Sequence, residues 1–432
     1  MFRRAIFLIA FLISCISSYG EEISPIELVV PQRADVMAKY IYAKHRMWGT
    51  SCQFGTQLYY HHLLVWNNFY EDDPLKRSFT DYFTAFNSLL DSIDLNGFDP
   101  SHPVPLDYGG VICNGAHRLT ACLVYNKKVL VQRCSDVRNY GFDFFQNLKL
   151  DLKYLNAMAL QYCELKPNSH MIVIFPCATG YEQEIEGIIS SYTKIVYKTQ
   201  IPFTCNGGMN LILTMYDREP WIGNLENNFE GGRAKARYCF PEKETSNQPL
   251  RIYLVESSHL NQVKACKAEI RSLFEHFQHV VHATDTHEEA IIVARALFNK
   301  NSVHCLNHRK DFFPPQFEHF LNDYRMGLKQ KENEWFCVDG GAVLSAYGLR
   351  DCNDFDILHY DAVLPDFSPA SVESHNPYLS FHALPLDDIL FDPDHYFYYR
   401  GVKFCALPVV QKMKKRRREP KDFQDISLIR EL

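Results

Sequence analysis

The stretch VDGGAVLSAYGLRDCNDFDI, residues 338–357, constrains the fold more than any other part of the chain. A Gly-Gly pair opens a short run of helical character, and Asp354 and Asp356 follow on a strand-like run. Side chains alternate across a strand, so these two carboxylates share one face. Carboxylates converging in this way are what Mg²⁺-dependent phosphoryl chemistry requires, because they hold the cation that neutralises a triphosphate. Gly340 and Gly341 carry no side chain and let the backbone approach a phosphate closely. A plain structural turn needs neither both glycines nor both acids.

The rest of the chain gives this unit company. With 432 residues, 47% of them hydrophobic, the protein can fill more than one core, and about three domains of roughly 150 residues is the starting expectation. Two weak seams fall around YCELKPNSH (162–170) and LNHRKDFFPPQ (306–316), where Pro-Pro breaks the pattern. They divide the chain into segments 22–165, 166–306 and 312–432, expected as α/β and α+β domains. The 45 Lys and Arg nearly balance the 51 Asp and Glu, so global charge argues neither for nucleic acid nor for an anionic membrane surface. A free phosphorylated molecule needs only a local basic site.

Residues 1–20 read as an export signal, with a basic MFRR and an apolar AIFLIAFLI too short to span a bilayer comfortably. Cleavage near Gly20 and lipidation at Cys15, in a lipobox-like LISC, are both open. The expectation is a periplasmic, secreted or lipid-anchored protein. The alternative is an uncleaved apolar segment on a cytoplasmic one. The 14 cysteines are scattered without a CxxC, and many sit in apolar runs, as buried small hydrophobes do.

In the first segment, aromatic-rich stretches such as TQLYYHHLLVWNNFY and DYFTAFNSLLDSI predict helices. PVPLDYGGVICNGAHRLTACLVYNKKVLVQRC predicts strand, tight turn, helix, strand. Gly115 lets the chain turn at the helix start, and His117 and Arg118 then lie in the first turn, where free N–H groups favour an anion. The alternative is a capped strand–helix turn. The run from Val104 to Gln132 resembles the core of the ParB/sulfiredoxin superfamily. That resemblance implies nucleotide-phosphate contacts at Gly115, His117 and Arg118. The sulfiredoxin nucleophile position is Ala116 here, with Cys113 three residues earlier, which speaks against that chemistry.

In the middle segment HMIVIFP, RAKARYCF and PLRIYLVES predict strands, with helices near 182–192 and 286–298. His282 precedes ATDT, a helix N-cap signal, and is a candidate nucleophile toward phosphoryl groups or a structural histidine. The order of features over 169–300 is similar to that of nucleoside diphosphate kinases. The resemblance implies a ferredoxin-like sandwich with His282 as the phosphate-accepting residue, Arg271 on phosphate and Tyr216 near the nucleotide. Three of that family's positions differ: its lysine is Phe175, its asparagine His279, and its orienting glutamate Val293. Those losses remove charge neutralisation and positioning.

The opening stretch resembles the nucleotidyltransferase-fold superfamily, marked by Gly-Gly, a helix and Asp-x-Asp. The tail FYYRGVKFCALPVVQKMKKRRREPKDFQDISLI fits its closing run. The resemblance implies a nucleoside triphosphate as substrate, Mg²⁺ on Asp354 and Asp356, and a third carboxylate on a later strand. LSFHALPLDDILFD offers Asp387, Asp388 or Asp392 for that place, and the sequence does not choose. Lys412 is a candidate phosphate contact, whereas Lys421, Asp422 and Asp425 read as a salt-bridged turn. The leading expectation is a nucleotidyl- or phosphoryl-transferase with an unknown acceptor, glycan-related as a guess. Its rival is an exported nucleotide- or ligand-binding protein that has kept these folds without the chemistry.

Overall fold

The structure, a computed structural model, describes residues 21–72, 74–241, 248–275, 277–327, 334–360 and 372–432. The proposed export signal, residues 1–20, lies outside them. The chain is mixed α/β and rich in helix, with three small sheets among the described residues. It divides into two compact units. One contains Leu58–Leu150 with the chain up to Trp48, and the other contains Gly49–Gln57 with Asp151–Leu432. Among the described residues no helix is long and apolar enough to cross a membrane.

The first unit runs β1 (Glu21–Ile23), α1 (Asp35–Trp48), α2 (Phe54–Asn67), α3 (Phe79–Asn96), β2 (Val104–Leu106), α4 (Ala116–Val124), β3 (Val129–Arg133) and α5 (Phe142–Asn147), with the first residues of α2 grouped in the second unit. The sheet order is β1-β3-β2, antiparallel then parallel. The strand–turn–helix–strand read from the sequence is β2, α4 and β3. Ser78 and Asp81 close a reciprocal capping box at the start of α3.

The second unit begins with α6 (Leu152–Leu165), β4 (Ser169–Ile174), α7 (Glu182–Tyr192), β5 (Lys194–Ile201), α8 (Cys205–Met215), α9 (Glu230–Cys239), β6 (Leu250–Glu256), α10 (Leu260–Ser272), β7 (Val281–Ala283) and α11 (His287–Leu297). The strands form an antiparallel sheet in the order β5-β6-β4-β7. The fully buried β4 explains its unbroken apolar sequence. Ile185 and Ile189 of α7 and Val263, Cys266 and Ile270 of α10 recur at helical spacing, and they bury against Ile172, Ile174, Tyr253 and Val255 of the sheet.

RAKARYCF, expected as a strand, is the body of α9. Its buried residues Gly232, Ala236 and Cys239 stand four and three apart, a helical period that alternation cannot satisfy. The strand in that part of the sheet is β5 instead.

The unit continues with α12 (Lys300–His308), α13 (Pro315–Gly327), β8 (Phe336–Val338), α14 (Gly341–Ala346), β9 (Phe355–His359), β10 (Val372–Ser374), α15 (Leu386–Phe391), β11 (Tyr396–Tyr399), β12 (Val402–Cys405), α16 (Leu407–Arg417) and α17 (Pro420–Arg430). Here the sheet order is β10-β9-β8-β12-β11, with β10 parallel to β9 at the edge. The seam at 306–316 separates no compact unit, and the seam at 162–170 lies past the division, because α6 belongs with the later residues.

Candidate functional site

Asp354 directly precedes β9 and Asp356 lies on it. Pairing of β9 with β10 sets Glu373 opposite Asp356. The result is a cluster of Asp354, Asp356 and Glu373 in which one carboxylate oxygen from each lies within 4.8 Å of the others. Glu373 therefore occupies the place for which Asp387, Asp388 and Asp392 were the sequence candidates. Asp387 is engaged elsewhere: it accepts from the Ser51 hydroxyl at 2.7 Å and from the Tyr360 hydroxyl. Asp388 lies in α15, and Asp392 closes that helix and accepts from the Asp394 amide at 2.9 Å.

The glycine turn is built around this cluster. Gly340 has φ +65°, a conformation that side-chain-bearing residues resist, and a Cβ there would stand 2.3 Å from Asp356 Oδ2. Gly340 thus brings backbone against a carboxylate of the cluster. Gly340→Ala should cost about 1–3 kcal/mol in backbone strain alone and displace Asp356 as well. Urea unfolding and cation titration of this variant measure the two effects separately, and an unchanged cation affinity would show that the close approach does not matter.

Asp339, immediately before the glycines, is fully buried and ties the pieces together. Its amide donates to the Asp356 carbonyl at 2.7 Å. Its Oδ2 lies 2.7 Å from His375 Nδ1 and 2.9 Å from His382 Nε2. Burial would raise the Asp339 pKa, but the two imidazoles outweigh it and hold the carboxyl far below its usual range. Burial opposes the charge on His382 too, yet Asp339 pulls its pKa upward. The His375 amide donates to the Ile357 carbonyl at 2.8 Å, which extends the β9–β10 pairing. Neither histidine, nor Asp339, nor Glu373 was singled out from the sequence.

Burial pushes the Asp356 pKa up, and Asp354 and Asp339 add to that against the pull of His375 and Lys421. Like charges brought this close are relieved by a cation, and three hard oxygen donors are the ligand type that a divalent ion such as Mg²⁺ takes. Lys412, the expected phosphate contact, is exposed on α16. Lys421 and Arg417 are among the cations whose charge couples to Asp356. Of the salt-bridged turn expected in the tail, Asp422 and Asp425 are ion-paired, but Lys421 stands 3.4 Å from Glu419 instead. Lys414 is buried 3.3 Å from Asp422 and 2.7 Å from Asp425, and Arg350 stands 2.6 Å from Asp425. Arg350 reaches Gly341 as well, where a Cβ would meet its guanidinium at 3.0 Å.

In the middle segment the structure brings His282 and Tyr216 together, with the Arg271 charge acting on Tyr216. His282 is 2% exposed, with Nδ1 2.9 Å from the Tyr216 hydroxyl and Nε2 3.0 Å from Glu289 Oε1. Glu289, on α11, supplies the carboxylate whose expected position holds Val293. Lys235 of α9 lies 5.1 Å from the Tyr216 ring centre and 5.9 Å from that of Phe175, the residue standing where the kinases have lysine. Burial and the Arg271 charge both lower the Lys235 and Lys267 pKa values. Burial likewise lowers that of His282, with Glu289 opposing. With Nδ1 beside the Tyr216 hydroxyl, Nε2 in ion-pair contact with Glu289 and almost no exposure, His282 is not presented as an open nucleophile.

Gly115 does adopt the left-handed conformation, φ +83°, before α4. Arg118 is committed, however, donating to the carbonyls of His102 and, at 3.1 Å, Pro103. His117 lies 2.8 Å from the Tyr59 hydroxyl and packs edge-on against Phe86, and burial keeps it neutral. Arg118 Nη1 is thus engaged with backbone, and the His117 ring is held by Tyr59 inside the fold. His117 instead helps line a cavity of about 480 Å³ with Arg33, Lys39, Trp66 and Cys113.

Comparison of the chain with family models, with curated proteins and with solved structures found no match. The geometry of these sites is therefore what bears on function.

Proposed function

We propose that the protein is a Mg²⁺-dependent nucleotidyl- or phosphoryl-transferase acting from a nucleoside triphosphate, with its chemistry at the Asp354–Asp356–Glu373 cluster and a nucleotidyltransferase-like C-terminal region. The observation that carries this reading is the meeting of three carboxylates, from β10 and from the start of β9, beside a glycine turn. The cation, when bound, supplies charge neutralisation for the triphosphate. The chain's own part is to hold that charge in place: Asp339 fixes β9 and β10, and Gly340 keeps the phosphate approach free of side chains. Lys421 and Arg417 lie where positive charge couples to the cluster.

A ferredoxin-like fold for the middle region is supported by its strand order and by helices on one face of the sheet. The rival reading, nucleotide or ligand binding without turnover, draws on that region. Lys235 and Lys267 bring positive charge to bear on His282, and Arg271 acts in turn on both lysines.

One experiment separates the readings. Nucleoside triphosphate binding by the purified chain is measured with and without Mg²⁺, for the wild type and for Asp354→Asn/Asp356→Asn. The transferase reading expects Mg²⁺-dependent binding that the double variant loses. Binding that ignores both Mg²⁺ and the variant supports the rival, and no binding in any case rejects both.

A further inference from the structure

We propose that Cys113 and Cys134 form a redox-active dithiol, oxidised reversibly to a disulfide by small oxidants that reach the half-exposed Cys134 from solvent. The two sulfurs lie 2.6 Å apart. Both cysteines are anchored by the backbone of the same strand: the Cys113 amide donates to the Pro105 carbonyl at 2.8 Å and the Cys134 amide to the Leu106 carbonyl at 2.9 Å. Successive carbonyls of β2 thus present the two side chains to each other. The pair comes together from sequence positions with no CxxC spacing, so only the folded chain creates it.

Access and chemistry set the order of events. Cys113 is buried, whereas Cys134 is half-exposed. Cys113 lines the 480 Å³ cavity beside Asn114 and Asp136. Its thiol donates to the Asp136 carbonyl at 2.9 Å, and burial, with the neighbouring sulfur, pushes its pKa up to about 12. The exposed sulfur reacts first. A peroxide gives one oxygen to Cys134, forming a sulfenic acid, and its other oxygen leaves as water. The Cys113 sulfur then attacks the Cys134 sulfur. The S–S bond forms as the S–O bond breaks, and the oxygen departs as water with the Cys113 proton. Two thiols lose two electrons and the peroxide becomes two waters. A thiol reductant reverses the bond by exchange.

Oxidation removes the thiol that donates to Asp136 and ties the turn before α4 to the end of β3. It therefore fixes one wall of the cavity. Cys337 and Cys405 provide an internal contrast, because they too are neighbours but are fully buried in their sheet.

The test treats the folded full chain with hydrogen peroxide, blocks remaining thiols by alkylation, and maps peptides by mass spectrometry without reduction. The expected result is one linked pair, Cys113 with Cys134, that a thiol reductant dissolves, while Cys337 and Cys405 become alkylated only after unfolding. In Cys113→Ser the same treatment with dimedone should label Cys134. Recovery of Cys113 and Cys134 as separate alkylated peptides after peroxide, or bonding of either to a different cysteine, overturns the proposal. If Cys113→Ser does not fold, the wild-type peptide map decides alone.

Discussion

Glu373→Gln should remove most of the divalent-cation affinity of the acidic cluster and leave the fold in place. Glutamine keeps the shape of the side chain, which is exposed at the sheet edge, so packing is not disturbed. It removes one of three anionic donors, and a loss of tenfold or more, about 1.4 kcal/mol, is expected. Calorimetric titration with Mg²⁺ or Mn²⁺ reads this directly, with Asp387→Asn as a control, since Asp387 is held by Ser51 and Tyr360. Equal affinity in wild type and Glu373→Gln would remove Glu373 from the site. The pH dependence has a defined sign. The Asp356 pKa is raised, so a proton competes for this carboxylate at a pH where an ordinary aspartate is already ionised. Affinity should therefore fall with decreasing pH, starting above the usual carboxylate range.

Lys414→Met should be among the most destabilising single substitutions in the second unit. Lys414 is 1% exposed between Asp422 and Asp425. Removing it strands buried negative charge with only Arg417 and Arg350 to answer it. Breaking one partner of a buried ionic cluster typically costs about 3–5 kcal/mol, although replacing the whole cluster by apolar residues can be neutral. Urea unfolding measures the difference, and a change under about 1 kcal/mol would mean that the remaining arginines suffice. The acid limb follows from the same residues. Burial raises the pKa values of Asp422 and Asp425, but their basic partners outweigh it and lower both. A lowered folded-state pKa contributes stability above the unfolded value of about 3.9. That contribution is lost as pH falls through the folded pKa, so the wild type should lose stability below about pH 4, and Lys414→Met should lose less there.

Much of the architecture was legible because it is written in local periodicity. The helices α3, α7 and α11 and the β2–α4–β3 unit follow from apolar spacing and caps. The opening glycines and the Asp pair were legible because few backbones need that combination. What was missed depends on contacts distant in sequence. β10 is a three-residue Val-Glu-Ser strand with partly exposed side chains, and only pairing with β9 makes Glu373 a neighbour of Asp356. Glu289 was passed over because a fixed offset from His282 was expected, whereas the first turn of α11 already reaches the imidazole. The contacts of Arg118 Nη1 are not legible in the sequence, because its acceptors are backbone carbonyls, which carry no residue signature. The helix α9 was mistaken for a strand because its apolar residues are few and its buried positions include glycine.

The edge position of β10 has a thermodynamic consequence. An edge strand of three residues has a partner on one side only, and its attachment to the sheet is weak by itself. A divalent ion shared by Glu373, Asp354 and Asp356 would fasten that strand across the cluster. Ion binding and strand docking would then be a single linked equilibrium, in which the cation acts as a clasp on the sheet as well as a reagent in the site.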